Sequence, residues 1–255
     1  FFMSINEISV DNLLSIWPKD FKDTVFDWMN VNSKGLINNF LLTTKFTFED
    51  NRFSLGKLDG KFDYHNVQII YMKSMPAIKM IEGRAEIVGD KITFFIKNGI
   101  SEDLEIIKGN VELFDLSTTS EKATVDLNIV SKNKKIVDYL DQSPMNKKNF
   151  SKLRKINGEV DLTLNLTFPL LLDLKVDEIN YYSEAKISNA TLENLYKDFS
   201  ISDMDIFLKV DPEIITYNGK GNLQDSLVNF QGKQFVENYN IIDKIEGNYL
   251  LSGEF

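Results

Sequence analysis

The sequence predicts a mainly β protein: an elongated, twisted antiparallel β-groove made from a curved sheet, with a few short helices. Apolar and polar residues alternate along most of the chain, few segments have helical periodicity, and glycines recur before successive strand-like runs. Strict alternation places one side of a strand against apolar groups and the other against water. Parallel strands would instead be apolar on both sides and separated by crossover helices.

The composition is that of a folded chain, with 255 residues of which 43% are hydrophobic and 26% are charged. The net charge of −9 argues against nucleic-acid binding, because neutralising phosphates requires an excess of Lys and Arg. The absence of cysteine and the presence of a single histidine exclude disulfide frameworks, thiolate zinc sites and cysteine nucleophiles. We therefore expect no catalytic residues, no metal site and no cofactor.

The clearest alternation occurs in "FLLTTKFTF", "KITFFIKNG", "ATVDLNIV", "VDLTLNLTF" and "MDIFLKVD". The apolar sides of these segments supply the candidate lining of the groove: Leu42, Phe46, Phe48, Ile92, Phe94, Ile96, Val125, Leu127, Ile129, Val160, Leu162, Leu164, Leu166, Ile206 and Leu208. A slip of one residue in strand pairing would exchange the two sides, so the pattern leaves the inward side of each strand open.

Three segments have helical character: "VDNLLSIWP", "KDFKDTVFDWMNVNSKG" and "NKKIVDYLDQSP". We expect these helices to plug or cap an end of the sheet. The predicted organisation is a single repetitive β-groove domain over 1–255, with helical inserts over 10–35 and 132–156, first strand repeats over 36–130 and later strand repeats over 157–255. Because the chain starts at Phe1 and stops within the strand-like "LSGEF", we expect it to be a fragment of a longer protein.

The step apolar-x-Gly-x precedes many of the strand-like runs. It occurs at Gly60, Gly83, Gly109, Gly158, Gly219 and Gly247. The shorter separations are roughly 25 residues, which fits one pair of strands and predicts a repetitive architecture. A glycine inside a strand marks a bend, a bulge or a close backbone approach, so this repetition predicts a sheet bent into a trough. Ordinary turn glycines are the alternative.

Two carboxylate pairs provide the alternative of an enzyme or a cation site. Asp203 and Asp205 alternate with apolar residues, and Asp177 precedes Glu178. Because alternation places Asp203 and Asp205 opposite the apolar side, we interpret them as part of a solvated face. We interpret His65 as a surface residue, and the basic segments "KNKK" and "NKKNFSKLRK" as solvated loops, with contact to lipid head groups or a partner as the alternative.

Three blocks of the chain resemble YhdP-like proteins of the AsmA-like superfamily. "LLSIWPKDFKDTVFDWMNVNSKGLINNFLL" resembles their Trp-Pro segment and the helix after it, and "LDGKFDYHNVQIIYMKSMPAIKMIEGRAEIVGDKITFFIKNG" and "INGEVDLTLNLTFPL" are similar to later blocks. The matching positions are Trp17, Pro18, Trp28, Gly35, Tyr71, Pro76, Ile81, Gly83 and Gly99. The resemblance runs from about Leu13 to the end, with one departure: Phe26 and Asp27 precede Trp28, where the family usually has an Arg.

The resemblance implies a non-enzymatic periplasmic protein of a Gram-negative bacterium, held to the inner membrane by an N-terminal anchor absent from this sequence. It implies that phospholipid moves toward the outer membrane with its acyl chains in the groove and its head groups in water. The expected partners are phospholipid acyl chains and the inner membrane, with outer-membrane or periplasmic proteins as further candidates and no nucleic acid. A non-enzymatic periplasmic scaffold or outer-membrane assembly factor, with a protein segment in the groove, is the alternative.

Overall fold

A computed structural model of the chain describes residues 2–16, 29, 31–49, 52–72, 75–118, 120–143, 154–171, 174–196, 199–224, 226–237 and 240–252. The described strands form a 13-stranded sheet whose spatial order follows the sequence. The strand pairs with an assigned register are antiparallel. The first and last strands end the order, so the sheet stays open. The predicted fold class, a mainly β, curved antiparallel sheet with a few short helices, is confirmed.

The strands are β1 Phe2–Ser9, β2 Ser33–Glu49, β3 Arg52–Ile69, β4 Ile78–Val88, β5 Lys91–Ser101, β6 Leu104–Phe114, β7 Lys122–Lys132, β8 Ile156–Pro169, β9 Asn180–Tyr196, β10 Phe199–Val210, β11 Ile214–Leu223, β12 Ser226–Glu237 and β13 Asn240–Ser252. The helices are α1 Val10–Ile16, α2 Asn133–Gln142 and a short 3₁₀ helix, Val176–Glu178. Much of the second predicted helical segment, over 19–28, lies outside the described residues. Strand β1 was not predicted, because its alternation is interrupted at Asn6 and Glu7.

The chain divides into two compact units. The first unit contains Phe1–Glu102, Ile106–Asp126 and Leu166–Ile179. The second unit contains Asp103–Glu105, Leu127–Asn165 and Asn180–Phe255. Each unit has its own cluster of buried apolar residues. The organisation of the whole chain as one repetitive domain stays a prediction.

The two units repeat the same elements at a constant separation in sequence. Asn133, which begins α2, follows Val10, which begins α1, by 123 residues, and the same interval separates the first residues of β8 and β2. Gly35 in β2 and Gly158 in β8 are also 123 residues apart, and both have φ of +146°, which favours glycine. The repeat seen in the tertiary structure is therefore a helix with the strands that follow it, much longer than the strand pair predicted from the glycine steps.

Bulges interrupt equivalent strands of both units. Asn66 in β3 and Asn189 in β9 have left-handed backbone angles, and so do Met80 in β4 and Asp203 in β10. The strand register shifts beside each of these residues. A bulge bends a strand and increases its twist, and Asn and Asp tolerate the left-handed region well. In the pairing of β4 with β5 the register shifts both around Met80 and between Glu82 and Gly83, so the strand is irregular next to the glycine, where the sequence predicts a bend or bulge.

Candidate functional site: the apolar faces of the sheet

In the first unit, one side of the sheet is apolar over several strands; we call it the first apolar face. It consists of Ile37, Phe40, Leu42, Leu58, Phe62, Tyr64, Val67, Ile81, Ala85 and Ile87, which are buried, and Ile92, Phe94 and Ile96, which are half-buried. Strand β4 shows why this side is separate, because Ile81, Ala85 and Ile87 are buried whereas Glu82, Arg84 and Glu86 are exposed. The alternation that predicted the strand thus also divides apolar from polar surface.

Strand pairing arranges part of this face in three rows across β3, β4 and β5. The rows are Gly60–Ile87–Ile92, Phe62–Ala85–Phe94 and Tyr64–Gly83–Ile96. Each row contains one small residue, Gly60, Ala85 or Gly83, beside larger ones. The Phe94 ring contacts the rings of Phe62 and Tyr64 edge-on, with centroids 6.2 Å and 6.1 Å away. The small residues therefore make room for an aromatic cluster on the apolar face.

Gly83 is required by the ring of Tyr64. A Cβ atom at Gly83 would overlap both the Tyr64 hydroxyl and the carbonyl oxygen of Phe95. The Tyr64 hydroxyl donates a hydrogen bond to that carbonyl oxygen at 3.0 Å. Burial raises the pKa of Tyr64, so the phenol stays neutral and keeps its donor proton. The buried Tyr64 hydroxyl on this apolar face is thus hydrogen-bonded.

The second unit has an equivalent surface, the second apolar face. It consists of buried Val160, Ile187, Ala190, Met204 and Ile206, with half-buried Ile156, Leu162, Ala185, Leu192, Ile201, Leu208 and Phe230. Its rows are Ser183–Val210–Ile215, Ala185–Leu208–Tyr217 and Ile187–Ile206–Gly219. Each residue in these rows lies 123 residues after its equivalent in the first unit, which is also the separation between the starts of α1 and α2. Both faces therefore share one strand register.

A helix packs on each apolar face. In α1, Val10 and Leu13 are each 3% exposed and belong to the buried cluster of the first face. In α2, Val137 is 1% exposed, and Ile136 packs on the second face. The side-chain amide of Asn133 donates to the carbonyl oxygen of Ile156 at 2.7 Å. Helices α1 and α2 of the predicted inserts therefore each pack on an apolar face, and their role as a plug or cap at an end of the sheet stays a prediction.

Comparison with known proteins identifies one family. A family model described as "YhdP protein" matches residues 1–251. The chain belongs to the YhdP family. This membership confirms the resemblance seen in the sequence and supports an AsmA-like protein of the bacterial envelope. Comparison with curated proteins and with solved structures gives no match.

The candidate lining residues of this YhdP-family chain fall into three groups. Buried residues are Leu42, Leu127, Ile129, Val160 and Ile206. Half-buried residues are Ile92, Phe94, Ile96, Val125, Leu162, Leu164, Leu166 and Leu208. The side chains of Phe46 and Phe48 lie outside the described residues. The half-buried group keeps apolar surface accessible to a ligand, and the role of all of them as a lipid lining stays a prediction.

The residues that β3 contributes to the first apolar face are not among those predicted from the sequence. Phe62 and Tyr64 lie in "GKFDYHN", where Lys61, Asp63 and His65 are the alternating polar partners. This alternation was a usable signal, but the segment is short and ends at the bulge beside Asn66. The buried helix residues Val10 and Leu13 were also missed, because a short helix does not reveal which side it docks.

Two of the candidate carboxylates, those of Asp203 and Glu178, accept hydrogen bonds from nearby residues of the fold. The Asp203 carboxylate accepts hydrogen bonds from Ser202 at 3.0 Å and Asn222 at 3.3 Å, on the exposed side of the β10 bulge. Glu178 accepts from the backbone amide of Lys175 at 2.8 Å at the start of the 3₁₀ helix. Over the part of the chain that the structure describes, no group of three or more His, Asp or Glu is placed to hold a metal ion. Within that same part, no helix has the length and apolar character needed to cross a bilayer.

Proposed function

We propose that this YhdP-family chain shields phospholipid acyl chains along the half-buried parts of its apolar faces, as one segment of a conduit between the inner and outer membranes. One observation carries the proposal: the described strands all belong to a single sheet, so no second sheet of described residues covers the apolar faces. In a β-sandwich each such face packs against a partner sheet. An apolar face without a partner sheet suits an apolar ligand.

The half-buried residues fit a ligand that must move. Each acyl methylene removed from water contributes about 0.8 kcal/mol, so complete burial of a long chain would hold it too tightly for transit. Ile92, Phe94 and Ile96 form a continuous apolar strip along β5 that is only partly covered. Such a strip offers many similar, weak contacts in succession, and the head group remains in water.

We place this function in the periplasm of a Gram-negative bacterium, with the full-length protein anchored to the inner membrane. Membership of a non-enzymatic family supports an activity without catalysis. The net charge of −9 gives anionic head groups no overall attraction, which leaves the acyl chains as the expected point of contact. Outer-membrane or periplasmic proteins remain candidate partners.

The test uses Phe94 and its neighbour Phe95, which lie on opposite sides of β5. Phe94 is on the first apolar face, whereas the Phe95 ring lies under the Arg84 guanidinium, 4.9 Å from the ring centroid. With a phospholipid that has a photoreactive acyl chain, Phe94→Asp is expected to lose labelling of β5, because a carboxylate disfavours acyl contact. Phe95→Asp is expected to keep it, since its carboxylate faces Arg84.

Leu164 supplies a second variant outside both buried clusters, because Phe94→Asp also disturbs the contacts of Phe94 with Phe62 and Tyr64. Leu164→Asp is expected to lower labelling of β8, with Asn165→Asp on the neighbouring position as its control. Circular dichroism would establish that all variants are folded. Equal labelling in apolar-side and polar-side variants would contradict the proposal, and co-purification of a protein segment in place of lipid would support the scaffold alternative.

A further inference from the structure

We propose that α2 is a gate over the second apolar face, and that an acyl chain reaches the buried part of this face only when α2 is displaced. The inference rests on the proposed lipid-shielding function and concerns its regulation. In the docked state, Val137 is 1% exposed and Asn133 is 5% exposed. Ile136 packs on the cluster that contains Val160 and Ile206. The helix therefore occupies the position that an acyl chain would need.

Exposed ion pairs are among the contacts that hold α2 in place. Lys135 Nζ lies 2.6 Å from an Asp103 carboxylate oxygen, and these side chains are 44% and 60% exposed. Arg154 pairs with Asp138 at 2.9 Å and also with Asp141. Ion pairs with this much exposure contribute little and are weakened by salt. They restrain the helix without fixing it permanently.

The start of α2 has a further weakness. Its first residue, Asn133, is polar although it is buried, and its amide loses little on displacement because water replaces the Ile156 carbonyl as partner. Lys132 at the N-cap position makes no side-chain capping hydrogen bond. In α1, by contrast, the equivalent residue is buried Val10, which would expose apolar surface if that helix were displaced. Of the two helices, α2 is thus the one suited to opening.

An acyl chain can take over the apolar contacts that Ile136 makes with the second apolar face when α2 is docked. Because the lipid binds the second face only in the open state, it shifts the helix toward displacement in proportion to its preference for that state. The lipid thereby opens the face that it occupies, and renewed burial of Ile136 and Val137 returns α2 to the docked state when the lipid leaves.

A covalent lock tests the gate. The chain has no cysteine, so Asp103→Cys and Lys135→Cys introduce a unique pair that a short, cleavable bismaleimide can join. The probe is a phosphatidylethanolamine vesicle containing lipid with a photoreactive acyl chain, and labelled peptides from β10 and β5 are quantified by mass spectrometry. With α2 held closed, labelling of β10 is expected to fall about tenfold, with β5 unchanged, and to recover after the linker is cleaved.

A second crosslink in the same unit is the matched control. Glu184 and Lys209 form an exposed cross-strand ion pair, with Nζ 2.8 Å from a carboxylate oxygen, and they lie away from α2. Because these two positions alternate with Ala185 and Leu208 of the apolar face, joining Glu184→Cys to Lys209→Cys is expected to leave labelling of both peptides unchanged. High ionic strength is expected to raise labelling of β10 in the unsubstituted protein, because salt weakens the Lys135–Asp103 pair.

The outcomes separate the gate from the proposed function. If β10 is labelled equally in locked and unlocked protein while β5 is labelled as before, the gate is wrong and lipid shielding stands. If neither peptide is labelled in the unlocked protein, lipid shielding is wrong and the gate falls with it. Loss of β10 labelling that does not recover after cleavage of the linker would also count against a reversible gate.

Discussion

In the first unit Phe62 of β3 faces Ala85 of β4, whereas at the equivalent position of the second unit Ala185 faces Leu208. The next row shows the same exchange, because the Tyr64–Gly83 pair of the first unit corresponds to the Ile187–Ile206 pair of the second. Bulk lost from one strand is regained on its neighbour. Because packed interiors tolerate exchanges that keep volume, this comparison shows that the total size of a row is constrained more than any single residue.

The polar side shows a parallel exchange of charge. Lys61 of the first unit pairs in register with Glu86, and the equivalent positions of the second unit hold Glu184 and Lys209. Attraction between opposite charges does not depend on which strand carries which sign. The helices differ without a compensating exchange elsewhere in the pair, because the apolar Val10 of α1 corresponds to the polar Asn133 of α2. The units therefore share a framework but hold their helices differently.

The largest effects are expected from breaking the row that contains Gly83 or Ile206. Gly83→Ala is expected to lower the free energy of unfolding by about 3 kcal/mol, because the added methyl overlaps Tyr64 and the Phe95 carbonyl. Ile206→Ala is expected to lower the free energy of unfolding by about 3 kcal/mol, because removing the larger side chain leaves a cavity. Urea unfolding with hydrogen exchange of β4 and β10 would measure both.

Gly99→Ala is the control for the glycine substitution. A Cβ there would meet only side-chain atoms at ordinary van der Waals distances, 3.4–3.5 Å. Gly99→Ala is expected to change the free energy of unfolding by no more than about 0.5 kcal/mol. Similar losses for Gly83→Ala and Gly99→Ala would show that close packing under Tyr64 is not what requires glycine.

Exchanging the first residues of the two helices gives a smaller effect. Val10→Asn is expected to weaken docking of α1 by about 2 kcal/mol, because apolar burial is lost and an amide enters an apolar cluster. Asn133→Val is expected to change docking of α2 by less than about 1 kcal/mol, since apolar contact offsets the lost hydrogen bond to Ile156. Hydrogen exchange of helix amides measures each; equal changes in both helices would contradict the contrast.

The smallest effect concerns the exposed pair on the polar side. The Lys209 ammonium, and then the Tyr182 hydroxyl, hydrogen-bond to the Glu184 carboxylate and lower its pKa. A lowered pKa in the folded state means that the pair's contribution to stability is present above the pKa of the unfolded chain and is lost as pH falls through the folded pKa. Lys209→Met is expected to raise the pKa of Glu184, measured by NMR titration. An unchanged titration would show that the pair does not persist in solution.

Parts of the candidate site could be predicted from single segments, and others could not. The β8 run from Val160 to Leu166 was predicted because its alternation is uninterrupted, as it is in β10 from Met204 to Leu208. The docking of α2 through Asn133 could not be predicted, because a buried Asn resembles a surface residue in sequence. The pairing of Gly83 with Tyr64 depends on strand register, which a segment read alone does not specify.

The sequence by itself determined that the chain is antiparallel and mainly β, and that each strand has one apolar side, since alternation is a property of consecutive residues. The tertiary structure alone decided which bulky residues share a row, where bulges at Asn66 and Asn189 shift the register, and which apolar surface each helix covers. The reason is that strand register and helix docking join residues far apart in the chain. Their energies depend on summed volume and on paired polar groups across strands, and no single segment contains that information.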